Sequence, residues 1–432
     1  MARMPDPTGP AVRLSDPLTL PCGLMLPNRI VKAAMTEALA DADNNPTPRL
    51  DRLYEQFAAG RPGMLLTGNV MVDRRHLERA RNVVVDDATD REALRRYAAA
   101  CAPVPTIVQI SHPGRQTTRV VQPRPVGPSR AAAVGMAGLF AKPRGLSLSE
   151  IADLRKRFVT AARMVVDAGF AGVQVHAAHG YLLSTFLSPV LNQRQDAYGV
   201  DLFGRARLLL EIVADLREAL PDSAAVGVKV NSRDTGEHSA EAVEALVSVA
   251  GWLQTAGADF VEVSGGNYES PALLGLDRPA DGNADSSEAY FSDAAAAVAR
   301  ETQVPVLLTG GFRTRAAMEG ALTAGTASLV GLGRPLALDP TLARKLLDGE
   351  VDELPRPAPR IGGPQQVQKL LGAAANTGWH RFQMERLGAG RVPVRRLPAV
   401  LAAADYVFRD GAQALVARRR RLATADRLDE TG

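Results

Sequence analysis

The stretch 147–176, SLSEIADLRKRFVTAARMVVDAGFAGVQVH, contains one complete helix–strand unit of the chain. Ser147 and Glu150 have the spacing of a capping box, in which two side chains satisfy free N–H groups of the first helical turn. Apolar residues then recur every three or four positions, and Gly169 predicts the end of the helix. The run 172–176 follows, one of a set of short runs along the chain that are rich in Val, Ile and Leu and as a set lack regular polar alternation, which is typical of strands buried on both faces of a parallel sheet.

The same pattern recurs along the chain. Short runs rich in Val, Ile and Leu alternate with helical patterns, and these runs lie at 30–34, 64–67, 106–110, 172–176, 225–231, 260–264, 306–309 and 329–331. Eight strand–helix pairs are what a TIM barrel requires. A doubly wound sheet is the alternative, but no GxGxxG follows the first run. We therefore predict an α/β fold, a (β/α)8 TIM barrel over 28–345 with a C-terminal helical extension.

Other segments flank or interrupt the predicted barrel. Residues 1–27 are an N-terminal segment, and we interpret 17–27 as a small hairpin closing the barrel floor. Residues 346–432 are the linker and the helical C-terminal extension, and the proline-rich part of the linker begins at 355. Packing on the barrel and a homo-oligomer contact both remain open as uses of this extension. The Pro- and Gly-rich segment 113–145 is long enough to act as a lid.

Composition excludes several classes of protein. Hydrophobic residues make up 46% and charged residues 23% of the 432 residues, the ordinary balance of a globular protein. No apolar run reaches membrane-spanning length and the N-terminal residues lack the apolar core of a secretory signal, so we expect a cytoplasmic protein without a membrane partner. A net charge of +4 is too small to indicate nucleic acid. Cys22 and Cys101 have no metal-ligand spacing, and we expect no metal.

Polar residues and glycines follow the predicted strands at the end where the active sites of this fold lie. They include Thr36, Asn69, Gln109, His176, Lys229, Gly310, Gly311, Gly333 and Arg334. The two glycine turns follow strands seven and eight, which is the usual phosphate site of this fold. Arg334 adds charge and a fork of donors. The sequence therefore predicts a phosphorylated ligand or cofactor at this rim.

Several motifs in chain order together resemble the Old Yellow Enzyme (NADH:flavin oxidoreductase) family. They are PNRI at 27–30, QISHPGR at 109–115, HAAHGYLL at 176–183, FLSP at 186–189, NQR at 192–194, DAYG at 196–199, and GLGR at 331–334 followed by DP at 339–340. The resemblance covers residues 15–345. It implies an FMN-binding barrel that uses NADH or NADPH to reduce activated C=C bonds of α,β-unsaturated carbonyl or related small molecules.

The resemblance also implies which residues contact FMN. The matching positions are Ala33, Ala34, Met35, Thr36, Asn69, Gln109, Lys229, Gly311, Phe312, Gly333 and Arg334. The Thr36 hydroxyl would donate near flavin O4, and the amides of Asn69 and Gln109 suit the mixed donors and acceptors of the ring edge. Lys229 would stand near N1 and O2, where positive charge stabilises the reduced cofactor. The last four positions match the phosphate-binding segments.

His176 and His179 match the family's pair of donors to the substrate oxygen, and Tyr181 matches the tyrosine that protonates the substrate α-carbon. A metal site or two hydrogen-bonded core histidines are the alternatives for the pair. No carboxylate or cysteine lies close enough in sequence to complete a metal ligand set. These residues are therefore the predicted catalytic and substrate-binding group.

Two other functions remain open. The same barrel could run oxidatively, as a demethylase of an N-methylated amine, or serve as a non-catalytic flavin-binding barrel. Two departures from the family bear on specificity. The segment 196–205 reads DAYGVDLFGR where relatives commonly read DxYGGSxENR, and Ala38 stands where the cysteine-bearing branch has a substrate-contacting tyrosine. We expect altered specificity.

Overall fold

The computed structural model describes residues 11–134, 138–232, 240–265, 291–355 and 365–429. Eight parallel strands close into a barrel, which confirms the predicted fold. They are β1 (Ile30–Lys32), β2 (Met64–Leu66), β3 (Thr106–Ser111), β4 (Gly172–Ala177), β5 (Ala225–Asn231), β6 (Phe260–Ser264), β7 (Val306–Thr309) and β8 (Leu329–Leu332). Each strand pairs with the next one along the chain. Gly331 of β8 faces Val31 of β1, and this pairing closes the barrel.

Helices connect the strands and follow the last one. They are α1 (Pro48–Ala59), α2 (Arg91–Ala100), α3 (Leu148–Asp167), α4 (Leu182–Leu187), α5 (Leu202–Ala219), α6 (Ala240–Thr255), α7 (Ser292–Glu301), α8 (Arg315–Thr323), α9 (Arg334–Leu338) and α10 (Leu342–Leu347). The side chains of Thr47 and Asp201 accept N–H groups at the starts of α1 and α5. The capping box of Ser147 and Glu150 is present at the start of α3, as predicted.

The barrel floor is closed by an antiparallel hairpin, in which Leu18–Thr19 pairs with Met25–Leu26. Leu20 and Leu26 of this hairpin are buried in an apolar cluster. Its barrel members are Val31, Met64, Leu66, Ile107, Ala225, Phe260, Leu307 and Leu329. The inside of the barrel floor is therefore filled with apolar side chains.

Two further helices, α11 (Gln365–Gly388) and α12 (Ala399–Asp429), form the extension. The side chains of Arg49, Arg52 and Gln56 on α1 donate to backbone carbonyls at the end of α11. Trp379 packs against Leu338 at the end of α9. These contacts place α11 beside the C-terminal ends of β8 and β1.

The predicted proline-rich linker falls on 356–364, outside the described residues, and the domain limits 1–27, 28–345 and 346–432 stay a prediction. Within the part of the chain that is described, no helix combines the length and apolarity needed to cross a bilayer.

Candidate active site

A cavity of about 220 Å³ lies at the C-terminal ends of the barrel strands. The predicted site residues that line it are Ala34, Met35, Thr36, Gln109, His176, His179, Tyr181, Lys229 and Arg334. Other predicted residues lie outside its lining, namely Ala33, Asn69, Gly311, Phe312 and Gly333. The structure therefore brings the predicted substrate residues and the flavin-edge residues into one space, with the glycine turns around it.

A chain of buried polar side chains crosses the barrel mouth from β3 to β5. Gln109 donates from Nε2 to Gln174 Oε1 at 2.6 Å, and Gln174 donates to Glu262 Oε2 at 2.8 Å. Glu262 Oε1 lies 2.9 Å from Lys229 Nζ. A charge in the barrel is costly to bury alone, and Glu262 offsets that cost for Lys229. Because Gln174 accepts from Gln109, the orientation of the Gln109 amide is set before any ligand enters.

His179 is held in a strained turn at the end of β4. Its φ of +60° lies in the left-handed region, which costs a non-glycine residue about 1–2 kcal/mol. Its N–H donates to Asn231 Oδ1 at 2.9 Å, and its carbonyl accepts from Gln116 Nε2 at 2.7 Å. Ser264 Oγ lies 3.1 Å from its Nε2. Side chains from three other parts of the chain thus hold this histidine.

The hydrogen bonding of His176 decides which ring nitrogen carries its proton. The N–H of Ala178 donates to His176 Nδ1 at 3.2 Å, so a neutral ring carries its proton on Nε2. Burial holds the pKa of both His176 and His179 well below the usual range, and the charge of Lys229 adds to this effect. Their rings lie 5.1 Å apart at 83°. Both are therefore neutral imidazoles at pH 7, and His176 is a donor through Nε2.

The Tyr181 hydroxyl belongs to a buried network. Asn69 Nδ2 lies 3.1 Å from the Tyr181 hydroxyl and 3.0 Å from Glu78 Oε2. The Thr36 hydroxyl donates to the same Glu78 oxygen at 3.2 Å. The expected donor to flavin O4 thus points at a carboxylate in this structure. Asn69, outside the cavity lining, connects to the site through Tyr181.

Several cavity residues were missed by sequence reasoning. Glu78 and Arg79 come from the loop after β2, and α11 contributes Asn376, Thr377, His380, Arg381 and Met384. The polar pair His380-Arg381, inside an otherwise helical pattern, was the available signal. Arg381 and Arg79 both bind Asp410 of α12, so the extension is joined to that loop by ion pairs.

The described residues of the segment 113–145 do not line the cavity. They include a short parallel pair, Val126–Gly127 with Arg144–Gly145. Their link to the site is the bond from Gln116 to the His179 carbonyl. In this structure the segment supports the turn that carries His179, and its role as a lid stays a prediction.

The rim fits FMN in the chemistry of its donors. Asn69 Oδ1 and Thr309 Oγ1 are buried without a hydrogen-bond partner, which a ligand would supply. Gly310 and Gly311 have φ of +128° and +85°, which glycine adopts without strain. Orphaned polar atoms and glycine turns therefore surround a cavity that also holds Lys229 and Arg334.

Among the described residues, Asp73, His76 and His112 could hold a metal, because their ligand atoms all lie within 4.8 Å. His112 Nδ1 accepts from the Gly114 N–H at 3.1 Å, which puts the ring proton on Nε2. Both Asp73 oxygens accept from Arg75. A metal would have to displace that guanidinium and a proton, so we assign none there.

The family follows from the sequence match. Residues 13–353 match the NADH:flavin oxidoreductase / NADH oxidase family. The chain belongs to this family. Membership confirms the predicted class of enzyme, an NAD(P)H-dependent FMN oxidoreductase of the Old Yellow Enzyme type that acts on small molecules.

Individual relatives align with most of the sequence of this flavin oxidoreductase. NADH-dependent flavin oxidoreductase iliE of Hypocrea jecorina is 38% identical over 388 residues, 82% of this chain and 95% of that protein. NADH-dependent flavin oxidoreductase iccE of Talaromyces variabilis is 36% identical over 361 residues, 78% of this chain and 86% of that protein. The solved old yellow enzyme homologue from Zymomonas mobilis shares the fold, with a TM-score of 0.67 at 22% identity over 83% of this chain and 99% of that chain.

Proposed function

We propose that this flavin oxidoreductase reduces the activated C=C bond of α,β-unsaturated carbonyl or related compounds. The observation that carries the proposal is the placement of a His176 donor, His179 and Tyr181 around one cavity with Lys229. When bound, FMN would supply the hydride-transfer chemistry between NAD(P)H and the β-carbon of the substrate. The rest of the reaction depends on the side chains around it.

The flavin site we propose runs along the rim. Its members are Ala33, Ala34, Met35, Thr36, Asn69, Gln109, Lys229, Gly311, Phe312, Gly333 and Arg334. Lys229 supplies positive charge where the reduced cofactor gains electron density. Gln109 offers the flavin its amide oxygen and the second N–H of Nε2, because its other N–H donates to Gln174. Arg334 and the glycine turns bind the phosphate in this proposal.

The substrate oxygen binds between the two histidines in this proposal. His176 donates through Nε2. If the Ser264 hydroxyl donates to His179 Nε2, the proton of that ring lies on Nδ1, which becomes a second donor. Because both rings are neutral, they favour a neutral carbonyl or nitro oxygen and stabilise the charge that develops on it.

Tyr181 is the proposed proton donor to the α-carbon. Its oxygen lies 3.1 Å from Asn69 Nδ2, which donates to it, so the hydroxyl proton points away from Asn69. A phenol is a weak acid that becomes effective when it is held at the reacting carbon. His176 packs against its ring, with centroids 4.6 Å apart.

The test is an anaerobic stopped-flow comparison of wild type, Tyr181→Phe and Tyr198→Phe with NADH, NADPH and a panel of enones. Tyr198 is a matched control, because its hydroxyl bonds to Glu211 outside the cavity. We expect Tyr181→Phe to slow reoxidation of the enzyme by enone about 10²-fold and to leave its reduction by NAD(P)H unchanged. Equal reoxidation rates in all three proteins would remove Tyr181 as the acid.

The same experiment separates the other functions. Anaerobic bleaching of the bound flavin by an N-methylated amine would support oxidative demethylation. A protein that oxidises neither NADH nor NADPH with any enone would support a non-catalytic barrel. Glu78, the carboxylate that lines the cavity, already accepts from Thr36, Asn69 and Arg79. This hydrogen bonding weakens the case for an amine cation there.

A further inference from the structure

We propose that Glu78 is a positioning residue, which sets the hydrogen-bond directions of Asn69, Tyr181 and Thr36 and is itself held by the C-terminal extension. The part that concerns Tyr181 rests on the proposed function. The part that concerns Thr36 depends only on the flavin site. Nothing in the family motifs of the sequence pointed to this carboxylate.

The contacts are direct and buried. Glu78 is 5% exposed, Asn69 7% and Tyr181 4%. Glu78 Oε2 accepts from Asn69 Nδ2 at 3.0 Å and from Thr36 Oγ1 at 3.2 Å, and Glu78 Oε1 accepts from Arg79 Nε at 3.3 Å. A single carboxylate therefore contacts one candidate flavin residue and, through one amide, the candidate proton donor.

An ionised carboxylate can only accept hydrogen bonds, and this restriction orients Asn69. The oxygen and nitrogen of an amide can exchange places by a half-turn, but only the nitrogen can donate to Glu78. The same nitrogen then donates its second proton to the Tyr181 oxygen. Without the negative charge, Asn69 could turn its oxygen toward Tyr181 and accept the phenolic proton that the substrate needs.

Thr36 is affected by the same restriction. A threonine hydroxyl has one proton, and here it is directed at Glu78. Toward a flavin edge the hydroxyl then presents a lone pair instead of the donor that the family resemblance implies. A lone pair and a buried carboxylate both disfavour electron density on the neighbouring ring, which opposes the effect of Lys229. Glu78 should therefore lower the reduction potential of the bound cofactor.

The C-terminal extension holds this carboxylate through Arg79. The Arg79 guanidinium binds Asp410 and the Tyr406 hydroxyl of α12 while its Nε contacts Glu78. Asp410 also binds Arg381 of α11, whose Nε lies 3.2 Å from Glu385. These contacts give the extension a role in the site, because the loop after β2 cannot move without breaking the ion pair of Arg79 with Asp410 on α12, which Arg381 of α11 also holds.

The first experiment measures the midpoint potential of bound FMN in wild type, Glu78→Gln and Glu92→Gln. Glu92 is an exposed carboxylate that pairs with Arg95 on the surface. We expect the potential of Glu78→Gln to shift to more positive values and that of Glu92→Gln to stay at the wild-type value. An unshifted potential in Glu78→Gln, with FMN affinity and melting temperature retained, would overturn the Thr36 part of the proposal.

The second experiment is a double-mutant cycle between Glu78→Gln and Tyr181→Phe, read as the rate of reoxidation by an enone. We expect Glu78→Gln to slow this step about tenfold in wild type and by clearly less in the Tyr181→Phe background, where only its effect on the flavin potential through Thr36 remains. Equal slowing in both backgrounds would show that Glu78 does not act through the phenol.

The outcomes also separate this proposal from the proposed function. If Tyr181→Phe itself reoxidises at the wild-type rate, the acid role fails, and the potential measurement still decides the effect of Glu78 on the flavin. If Glu78→Gln does not fold, Asp410→Asn takes its place, because releasing Arg79 should shift the potential in the same positive direction by a smaller amount. No shift in Asp410→Asn would refute the link to the extension.

Discussion

The two ends of the barrel are closed by segments of opposite chemistry. At the floor, the hairpin of Leu18–Thr19 and Met25–Leu26 buries Leu20 and Leu26 in a wholly apolar cluster. At the rim, helices α11 and α12 are tied to the loop after β2 by ion pairs of Arg79, Arg381 and Asp410. The floor excludes water from a packed core, whereas the rim surrounds a cavity.

This difference shows how one fold separates stability from chemistry. Apolar burial is non-directional, so the floor needs only side chains of the right size. The rim must orient donors and acceptors, and such groups need fixed partners. Variants at the floor should therefore change folding alone, and variants at the rim should change catalysis first.

The largest expected effect is that of His176→Ala at the rim. Loss of one oxygen donor should lower kcat/KM for an enone about 10²- to 10³-fold, roughly 3–4 kcal/mol. Reduction by NAD(P)H and the melting temperature should stay close to those of wild type. Steady-state and single-turnover kinetics measure this, and wild-type enone reduction by His176→Ala would break the assignment of the rim.

The next effect belongs to the floor. Leu26→Ala removes a fully buried side chain and should lower the free energy of unfolding by about 2–5 kcal/mol, with kcat/KM per folded molecule unchanged. Urea unfolding measures it. Met25→Ala is the matched control, because Met25 is 63% exposed on the same hairpin and its loss should change stability by less than about 0.5 kcal/mol. An equal decrease in the free energy of unfolding for the two variants would contradict the role of buried apolar packing at the barrel floor.

A smaller effect should follow from weakening the ion pairs that join the C-terminal extension to the loop after β2. Asp410→Asn weakens the bonds to Arg79 and Arg381 and should cost about 1–2 kcal/mol, because the pair is only partly buried. Limited proteolysis should then cut the extension sooner. Asp405→Asn, which breaks an exposed pair with Arg409, is the control. Equal cutting rates for the two variants would contradict the role of the Asp410 ion pairs in holding the extension.

The smallest expected effect is the change in the free energy of unfolding with pH. Burial lowers the pKa of His380 to about 4, and the pKa values of His176 and His179 are also lowered. The unfolded chain therefore takes up protons first, near pH 6.5. Stability is fully present above that pH and is lost as pH falls through the lower folded pKa values, by about 1.4 kcal/mol per pH unit for each histidine.

Urea titrations between pH 7 and pH 4.5 measure this slope. His380→Asn should remove one histidine's share of it, because no buried imidazole then remains at that position to be kept neutral. A slope that is the same in His380→Asn and wild type would show that His380 is not held neutral by the fold.

Local patterns predicted the fold well. The eight apolar runs correspond to the eight barrel strands, and the capping box at Ser147 marks the start of α3. Strand ends also pointed to His176, Gln109 and Lys229 at one rim, because parallel strands bring their carboxyl ends together. These predictions succeed since each depends on residues that are neighbours in sequence.

Contacts across the chain could not be predicted in the same way. Glu78 lies in the loop after β2 but far beyond the end of that strand, and His380 lies in a helix that sequence patterns treat as an ordinary extension. Both reach the cavity because α11 packs against α1 and α9 and because α12 binds Arg79. No spacing in the sequence encodes such a meeting.

The sequence by itself determined the barrel, the family and the polar residues at its rim, because periodicity, helix caps and ordered motifs are local properties. Only the tertiary structure decided that Thr36 donates its hydrogen bond to Glu78, that Gln174 orients Gln109, and that α11 of the extension lines the cavity. Hydrogen-bond direction depends on which atoms meet across the chain, and packing alone decides that.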